Sequence, residues 1–258
     1  MILPPNHQFH ITPKRIVSLV PSLTELLFYL GLEDETVGIT KFCIHPPAWF
    51  RSKARVGGTK TANIAAIKKL QPHLIIANKE ENVKEQVEEL ANDFNVLVTD
   101  VNNIAEALHT IVHIGQLTGK AARAKELEAA IEKEFLKLTS NKKKPVKAAY
   151  LIWNNPYMTV GGDTFINDIL NKCGLKNIFS DLKRYPEITV DQLKDKGCQL
   201  LLLSTEPYPF KQKHIDALQS QLPGVKIILA DGEMFSWYGS HMLQAPEYLL
   251  SVRDEFSV

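Results

Sequence analysis

The sequence predicts an α/β protein made of two similar lobes with mainly parallel sheets, joined by a single long backbone helix. Three observations predict this fold class. A pattern of helix, buried strand and acidic loop occurs twice, predicted strands alternate with predicted helices in both halves, and a charged amphipathic segment without turn residues separates the halves. Strands that alternate with helices favour parallel sheets covered on both faces.

The internal repeat has a constant offset of 126 residues. Its two copies are marked by Ile64 and Val190, Ile67 and Leu193, Ile76 and Leu202, and Glu80 and Glu206. Two lobes built on one pattern leave a crevice between them, and such crevices are common sites for small molecules. The repeat therefore predicts a ligand site between the lobes.

In the first half, apolar runs predict strands and capping residues predict helices. A strand is expected at residues 15–20, and Ser22 with Glu25 has the spacing of a capping box for a helix that ends at Gly31. Further strands are expected at residues 36–40, 74–77 and 96–99. Good N-cap residues predict that helices begin at Asn63, Asn82 and Asn103.

The middle of the chain predicts one long helix at residues 119–139, about 30 Å in length. Its apolar face is marked by Ala121, Leu127, Ile131, Phe135 and Leu138. The second half then predicts strands at residues 146–153, 200–204 and 225–230 and a helix at residues 165–173. The expected domains are an N-terminal lobe at residues 1–117, a connecting helix at 118–144 and a C-terminal lobe at 145–258.

Composition excludes several classes of protein. Thirty basic and 29 acidic side chains leave a net charge of +1, which offers no electrostatic footprint for nucleic acid. Cys43, Cys173 and Cys198 have no paired spacing, so neither a disulfide framework nor a zinc ribbon is expected. Residues 1–13 lack a basic segment followed by an apolar one, which predicts a cytoplasmic protein if Met1 is the native start. A monomer is expected.

Several motifs resemble those of cobalamin-binding proteins of ABC importers. They are Arg15-Ile-Val-Ser-Leu-Val-Pro-Ser-Leu-Thr-Glu-Leu, Val37-Gly-Ile-Thr with His45-Pro-Pro, Leu74-Ile-Ile-Ala, and the spacing from Asn82 to Val87. The resemblance runs from residue 15 to about residue 250. It places the chain among the helical-backbone receptors for metal chelates, which resemble class III periplasmic binding proteins and include siderophore and haem carriers.

The resemblance implies a non-catalytic substrate-binding protein that delivers a metal chelate to the permease subunits of an ABC importer, if the chain is exported. Its ligand would be cobalamin or a related tetrapyrrole such as haem, or else a ferric siderophore. No catalytic cofactor is implied. The alternatives are a cytoplasmic cofactor-binding or storage protein, and a chelatase-like enzyme on the same fold. An enzyme would need a general base, for which His45 or His241 near Glu233 are the candidates.

The resemblance also implies ligand contacts in the first lobe. Phe42 falls where an aromatic residue contacts the corrin ring, whereas Thr59 and Asn78 occupy places where the best-known cobalamin carriers have tryptophan. Gly58 belongs to one of two glycine pairs, Gly57-Gly58 and Gly161-Gly162, that follow extended runs. Such glycines either let the backbone approach a ligand or simply form turns.

In the second lobe, aromatic residues follow two predicted strands, where ligands of open α/β sheets bind. These candidate contacts are Trp153, Tyr157, Phe235, Trp237 and Tyr238. The alternative is that the rings cap the core of the lobe.

Three residues of the chain could in principle ligate a metal. Cys43, His45 and His241 carry donors that suit zinc or haem iron, but two ligands do not make a site. We therefore expect no metal site of the chain's own. A more specific hypothesis is that His45 or His241 is an axial ligand of a metal within the bound chelate. The alternative for Cys43 and His45 is that they belong to a loop made rigid by Pro46 and Pro47.

Acidic loops are the remaining candidates. In the importers that this chain resembles, one glutamate on each lobe pairs with arginines of the permease. Glu80, Glu81 and Glu85 in the first lobe and Glu206 in the second are the expected docking residues. The alternative is that they are solvated helix starts, since exposed ion pairs are worth little.

Overall fold

The computed structural model describes residues 1–4, 7–139 and 144–254, and the chain divides into two compact units. The first unit comprises Met1–Val101, Ala105–Ala130 and Tyr238–His241. The second comprises Asn102–Ile104, Ile131–Trp237 and Met242–Val258. No helix in the described ranges is long and apolar enough to cross a membrane.

The first unit is built on a five-stranded sheet. Its strands are β1 (Ile16–Ser18), β2 (Thr36–Ile39), β3 (Ala54–Arg55), β4 (Leu74–Asn78) and β5 (Val96–Thr99). They pair in the order β3-β2-β1-β4-β5, and each pair is parallel. The helices are α1 (Pro21–Tyr29), α2 (Pro47–Ser52), α3 (Ile64–Lys69), α4 (Lys84–Asp93) and α5 (Ile104–Leu117), of which only Ile104 belongs to the second unit. All carboxyl ends of the strands therefore meet at one edge of the sheet.

The second unit follows the long helix α6 (Ala121–Thr139). Its strands are β6 (Val146–Trp153), β7 (Tyr157–Thr159), β8 (Leu175–Asn177), β9 (Glu187–Ile188), β10 (Leu200–Ser204) and β11 (Lys226–Ala230). Its helices are α7 (Phe165–Lys172), α8 (Val190–Asp195), α9 (Gln212–Gln219), α10 (Gly232–Ser236) and α11 (Ala245–Asp254). A 3-10 helix at Ser240–Leu243 has its first two residues in the first unit and its last two in the second. The strand order is β11-β10-β6-β7-β9, with β8 also pairing with β6.

The predicted fold class is confirmed. The second sheet is parallel except where β7 pairs with β6 and β9, so both sheets are mainly parallel. Each sheet covers an apolar core. Val17, Ile67 and Ile75 lie in the first core, and Leu193 and Leu201 lie in the second. The order of the second half departs from the first because the hairpin of β6 and β7 inserts an antiparallel strand.

The long helix begins two residues later than expected, since Gly119 adopts a positive φ of 73° between α5 and α6. Residues Ala121–Ala130 of α6 lie in the first unit, and the remainder of the helix lies in the second. Its predicted apolar face is buried except at Ala121, which is exposed. Ala124 is buried instead, against Gly115 of α5. A Cβ at Gly115 would lie only 2.3 Å from the Cβ of Ala124. Glycine therefore permits the close crossing of α5 and α6.

Two predicted helix starts are wrong. Helix α1 begins at Pro21, because proline suits the first turn of a helix. No side chain caps this helix, so Ser22 and Glu25 do not form the predicted capping box. Helix α4 begins at Lys84 with Val83 at its N-cap, so Asn82 does not cap it. The predicted cap at Asn63 is confirmed, since its side chain accepts a hydrogen bond from the N–H of Ala66.

Candidate functional site

Three loops at the carboxyl edge of the first sheet carry the candidate residues of that unit. Phe42 follows β2, Gly58 and Thr59 follow β3, and Asn78 ends β4. Because the strands are parallel, these loops lie at the same edge. The fold brings together positions from three separate parts of the sequence.

Phe42 presents half of its surface to solvent, with 51% exposed. The Nζ atom of Lys41 lies 5.2 Å from the centroid of its ring. Gly58 is buried beneath the ring edge, where a Cβ would lie 3.1 Å from a ring carbon of Phe42 and 2.8 Å from Oγ1 of Thr61. The absence of a side chain at Gly58 therefore leaves room for the ring of Phe42. The exposed half of that ring is available for stacking.

Asn78 is buried and bonded on both sides of its amide. Its Nδ2 donates to the hydroxyl of Tyr238 at 2.8 Å and to the carbonyl oxygen of Thr99 at 3.1 Å. Its Oδ1 accepts from the backbone N–H groups of Glu80 and Glu81 at 2.8 and 3.0 Å. The side chain therefore holds the loop after β4 in place.

Asn82 extends this network to Thr59. Its Oδ1 accepts from the N–H of Asn78 at 2.8 Å, and its Nδ2 donates to the carbonyl oxygens of Leu19 at 3.3 Å and Thr59 at 3.0 Å. The backbone of Thr59 is therefore fixed to the loop after β4. The side chain of Thr59 is partly exposed.

Tyr238 and His241 follow α10 in the chain but belong to the first unit. Tyr238 is 6% exposed, and burial raises the pKa of its hydroxyl, which remains a neutral partner for Asn78. His241 is 7% exposed, and its Nδ1 lies 2.9 Å from Oε2 of Glu25. His241 therefore pairs with Glu25. Both side chains are engaged in buried polar contacts.

Cys43 is fully buried, with its Sγ 3.1 Å from Oγ1 of Thr24 and 3.2 Å from Oγ1 of Thr40. Burial raises the pKa of the thiol, and the sulfur already contacts two hydroxyl groups in the interior. His45 is partly exposed and precedes a cis peptide bond to Pro46. Among the residues that the structure describes, no group of three or more His, Cys, Asp or Glu side chains is placed to hold a metal ion.

An aromatic cluster lies after β6 and β10 in the second unit. We call it the Trp153 cluster; its members are Trp153, Tyr157, Tyr208, Phe210 and His214. Trp153 is 41% exposed, and its ring meets that of Tyr208 edge-on with centroids 5.6 Å apart. Tyr208 also contacts Phe210 at 4.8 Å and His214 at 5.5 Å. Burial, with a smaller contribution from Tyr208, raises the pKa of Tyr157. Trp153 is the exposed member of the cluster.

Phe235 lies in the interior. It is fully buried, with ring centroids 5.0 Å from Tyr150 and 6.2 Å from Tyr248. For this ring, the structure supports the alternative in which it fills the core of the unit.

Trp237 is 8% exposed and is held by Glu206. The Nε1–H of Trp237 and the hydroxyl of Ser236 both donate to Oε1 of Glu206, each at 2.9 Å. Burial raises the pKa of Glu206. Gly232 makes room for this carboxylate, since a Cβ there would lie 2.3 Å from Cγ of Glu206. The carboxylate of Glu206 is therefore engaged inside its own unit.

Gly161 and Gly162 pack against the chain itself. Their N–H groups donate to the carbonyl oxygens of Arg184 at 2.7 Å and Leu182 at 2.8 Å. A Cβ at Gly162 would lie 2.1 Å from the carbonyl oxygen of Ser180. These glycines let the segment 180–184 approach closely, so the structure explains the pair without a ligand.

The acidic docking candidates of the first unit differ in exposure. Glu85 is exposed in the first turn of α4. Glu80 and Glu81 are partly exposed. Lys84 lies beside them and pairs with Glu88 at 3.6 Å.

Sequence reasoning missed Tyr208 and His214. A signal for Tyr208 was present, because Tyr208 follows β10 just as Trp153 ends β6. His214 carried no such signal, since its role depends on the hydrogen bonds that it makes at the start of α9.

Comparisons with known proteins agree with the motifs. A family model described as "Periplasmic binding protein" matches residues 16–230. The vitamin B12-binding protein of Pectobacterium atrosepticum is 24% identical over 260 residues, covering 95% of this chain and 90% of the relative. An uncharacterized ABC transporter substrate-binding lipoprotein of Bacillus subtilis, YvrC, is 28% identical over 187 residues, covering 69% of this chain and 59% of the relative.

A solved structure supports the same fold. The periplasmic heme-binding protein RhuT from Roseiflexus sp. RS-1 superposes with a TM-score of 0.80 at 19% identity, covering 94% of this chain and 97% of that chain. The family match spans most of the sequence, from the first strand to the last. The chain therefore belongs to the periplasmic binding protein family.

Proposed function

We propose that the protein is a substrate-binding protein for a metal chelate, with a tetrapyrrole such as cobalamin or haem as the first choice and a ferric siderophore as the second. The observation that carries this proposal is the half-exposed ring of Phe42 at the carboxyl edge of a parallel sheet. That edge is where open α/β sheets bind ligands. Relatives whose names include vitamin B12 and heme binding favour the same ligand class.

The exposed rings suit a flat, largely apolar ligand. Phe42 is 51% exposed in the first unit, and Trp153 is 41% exposed in the second. Covering the exposed half of such a ring contributes about 2 kcal/mol. Stacking therefore provides useful affinity without a covalent bond from the chain to the metal. This is a binding role, consistent with a family of transport receptors rather than enzymes.

His45 is the remaining candidate for an axial ligand to a chelated metal. It is partly exposed, whereas His241 is buried beside Glu25 and Cys43 is a buried thiol. If His45 ligates the metal, His45→Ala will change the absorbance spectrum of the bound chelate. An unchanged spectrum on adding haem or cobalamin would limit the chain's role to stacking and hydrogen bonding.

Docking to an ABC permease is a separate part of the proposal. Glu85 suits it best, because its side chain is exposed at a helix start. Glu206 suits it less, since its carboxylate already binds Ser236 and Trp237. We expect Glu85→Ala to lower uptake in cells that carry the permease while ligand affinity stays the same. Normal uptake would remove Glu85 from the docking surface.

The test of the binding proposal is an absorbance titration with cyanocobalamin, hemin and a ferric hydroxamate. Phe42→Ala and Trp153→Ala are expected to weaken binding of the preferred chelate about ten- to thirtyfold each, through lost stacking. Leu136→Ala is the matched control, since Leu136 is 66% exposed on α6. Equal affinity in both ring variants and the control would contradict the proposed site.

A further inference from the structure

We infer that Tyr208 selects the ligand by donating its hydroxyl hydrogen to an oxygen acceptor on the bound chelate. The inference rests on the proposed function and adds a specificity-determining residue to it. Its basis is the direction of the hydrogen bonds around the Tyr208 hydroxyl.

The hydrogen bonds of His214 determine its tautomer. The backbone N–H of Lys211 donates to Nδ1 of His214 at 2.9 Å, so this nitrogen is an acceptor. In a neutral imidazole, the other nitrogen then carries the hydrogen. Nε2 of His214 lies 3.1 Å from the Tyr208 hydroxyl. His214 therefore donates to the oxygen of Tyr208.

The amide of Asn154 also bonds to Tyr208. Its Nδ2 donates to the same hydroxyl oxygen at 3.1 Å. The oxygen of Tyr208 thus accepts two hydrogen bonds, and within the described part of the chain its own hydrogen has no acceptor. Tyr208 is partly exposed, and in our proposal this hydrogen points toward solvent or a bound ligand.

The position of this donor determines which part of a ligand it meets. Tyr208 meets Trp153 edge-on, and Trp153 is the half-exposed ring of the cluster. A flat chelate stacked on Trp153 brings its edge toward Tyr208. That edge must carry an acceptor, such as a carboxylate, an amide carbonyl or a hydroxamate oxygen. An edge that presents an N–H group meets an oxygen whose acceptor positions are already filled.

The test compares wild type with Tyr208→Phe, which removes the hydroxyl and keeps the ring. Cyanocobalamin, hemin and a ferric hydroxamate serve as probes, and circular dichroism checks folding. We expect affinity for the bound chelate to fall about three- to tenfold. Tyr29→Phe is the control, because Tyr29 lies in α1 beside Arg123 and should leave affinity unchanged. Equal affinity in wild type and Tyr208→Phe overturns the inference.

A second variant tests the direction of the hydrogen bond. In Asn154→Asp a carboxylate replaces the donor, so the Tyr208 hydrogen turns toward residue 154 and away from the ligand. We expect the same loss as in Tyr208→Phe, and no further loss when both changes are combined. Wild-type affinity in Asn154→Asp would overturn the inference. Absence of binding by wild type to every probe would instead overturn the proposed function, and the inference with it.

Discussion

Asn78 and Ser204 end equivalent strands of the two units, and both side chains fold the following loop back on the strand. Oδ1 of Asn78 accepts from the N–H of Glu80 at 2.8 Å, and Oγ of Ser204 accepts from the N–H of Glu206 at 3.4 Å. Buried polar groups of this kind are costly to leave without partners. The last residues of these two strands therefore fix the loops that carry the site.

Asn78→Ala is expected to lower the free energy of unfolding by about 2–4 kcal/mol, because it leaves several buried groups without partners. Urea unfolding of the full chain measures the effect. Asn92→Ala, at an exposed position of α4, is the matched control. If the free energy of unfolding fell no more than in the control, the hydrogen bonds of Asn78 would not stabilise the loop as argued.

Glu206 predicts a pH dependence of stability. Burial raises its pKa in the folded protein above that of the unfolded chain, so the folded state holds the proton more tightly. The free energy of unfolding therefore decreases as pH rises through the folded-state pKa. Glu206→Gln, whose Oε1 can still accept from Ser236 and Trp237, is expected to be more stable than wild type at neutral pH.

This difference between Glu206→Gln and wild type should shrink as the pH falls and Glu206 takes up its proton. Chemical unfolding at a series of pH values measures it. Glu126→Gln, at an exposed position of α6, is the control and should show no such trend. An advantage of Glu206→Gln that does not change with pH would contradict the assignment.

Side-chain roles were the least predictable part of the sequence. An aromatic residue after a strand indicates the correct edge of the sheet, but Phe42 and Trp153 are half exposed whereas Phe235 and Trp237 are buried. The difference arises from contacts distant in sequence, such as that of Trp237 with Glu206. A local pattern carries no information about such partners.

Helices and strands were predicted better than side-chain roles, because the repeat in the sequence corresponds to equivalent elements in the two units. Helix α3 (Ile64–Lys69) and strand β4 (Leu74–Asn78) recur as α8 (Val190–Asp195) and β10 (Leu200–Ser204) at the offset read from the sequence. Short elements such as β3 and β9 have two residues each, too few for a periodic signal. The predicted start at Asn82 was wrong because its side chain bonds to the distant carbonyl oxygens of Leu19 and Thr59. The predicted capping box of α1 was wrong because Glu25 lies beside His241 and the helix begins at Pro21.

The packing of Gly162, which follows β7, against the segment 180–184 gives a prediction at the same scale. Gly162→Ala places a Cβ against the carbonyl oxygen of Ser180, so we expect thermal unfolding at lower temperature and a loss of about 2–4 kcal/mol. Gly224→Ala is the matched control, because nothing lies within 4 Å of its Cβ. Equal stability of the two variants would contradict the close approach.

At the scale of the whole molecule, the units do not follow the halves of the sequence. The first unit takes Tyr238–His241 from near the C-terminus, where Tyr238 bonds to Asn78 and His241 lies beside Glu25. Neither the composition nor the repeat could predict that a segment near the C-terminus belongs to the first unit. Each unit nevertheless offers a half-exposed ring at or just after the end of a strand, Phe42 in the first and Trp153 in the second, and the proposed function depends on those two rings.

Isothermal titration calorimetry of the wild-type protein with cyanocobalamin, hemin and ferric siderophores tests this account most directly. We predict saturable binding of one chelate class with a Kd of roughly micromolar or tighter, and a negative heat-capacity change from burial of apolar surface. Heats no larger than dilution for every chelate, from protein that circular dichroism shows to be folded, would contradict it.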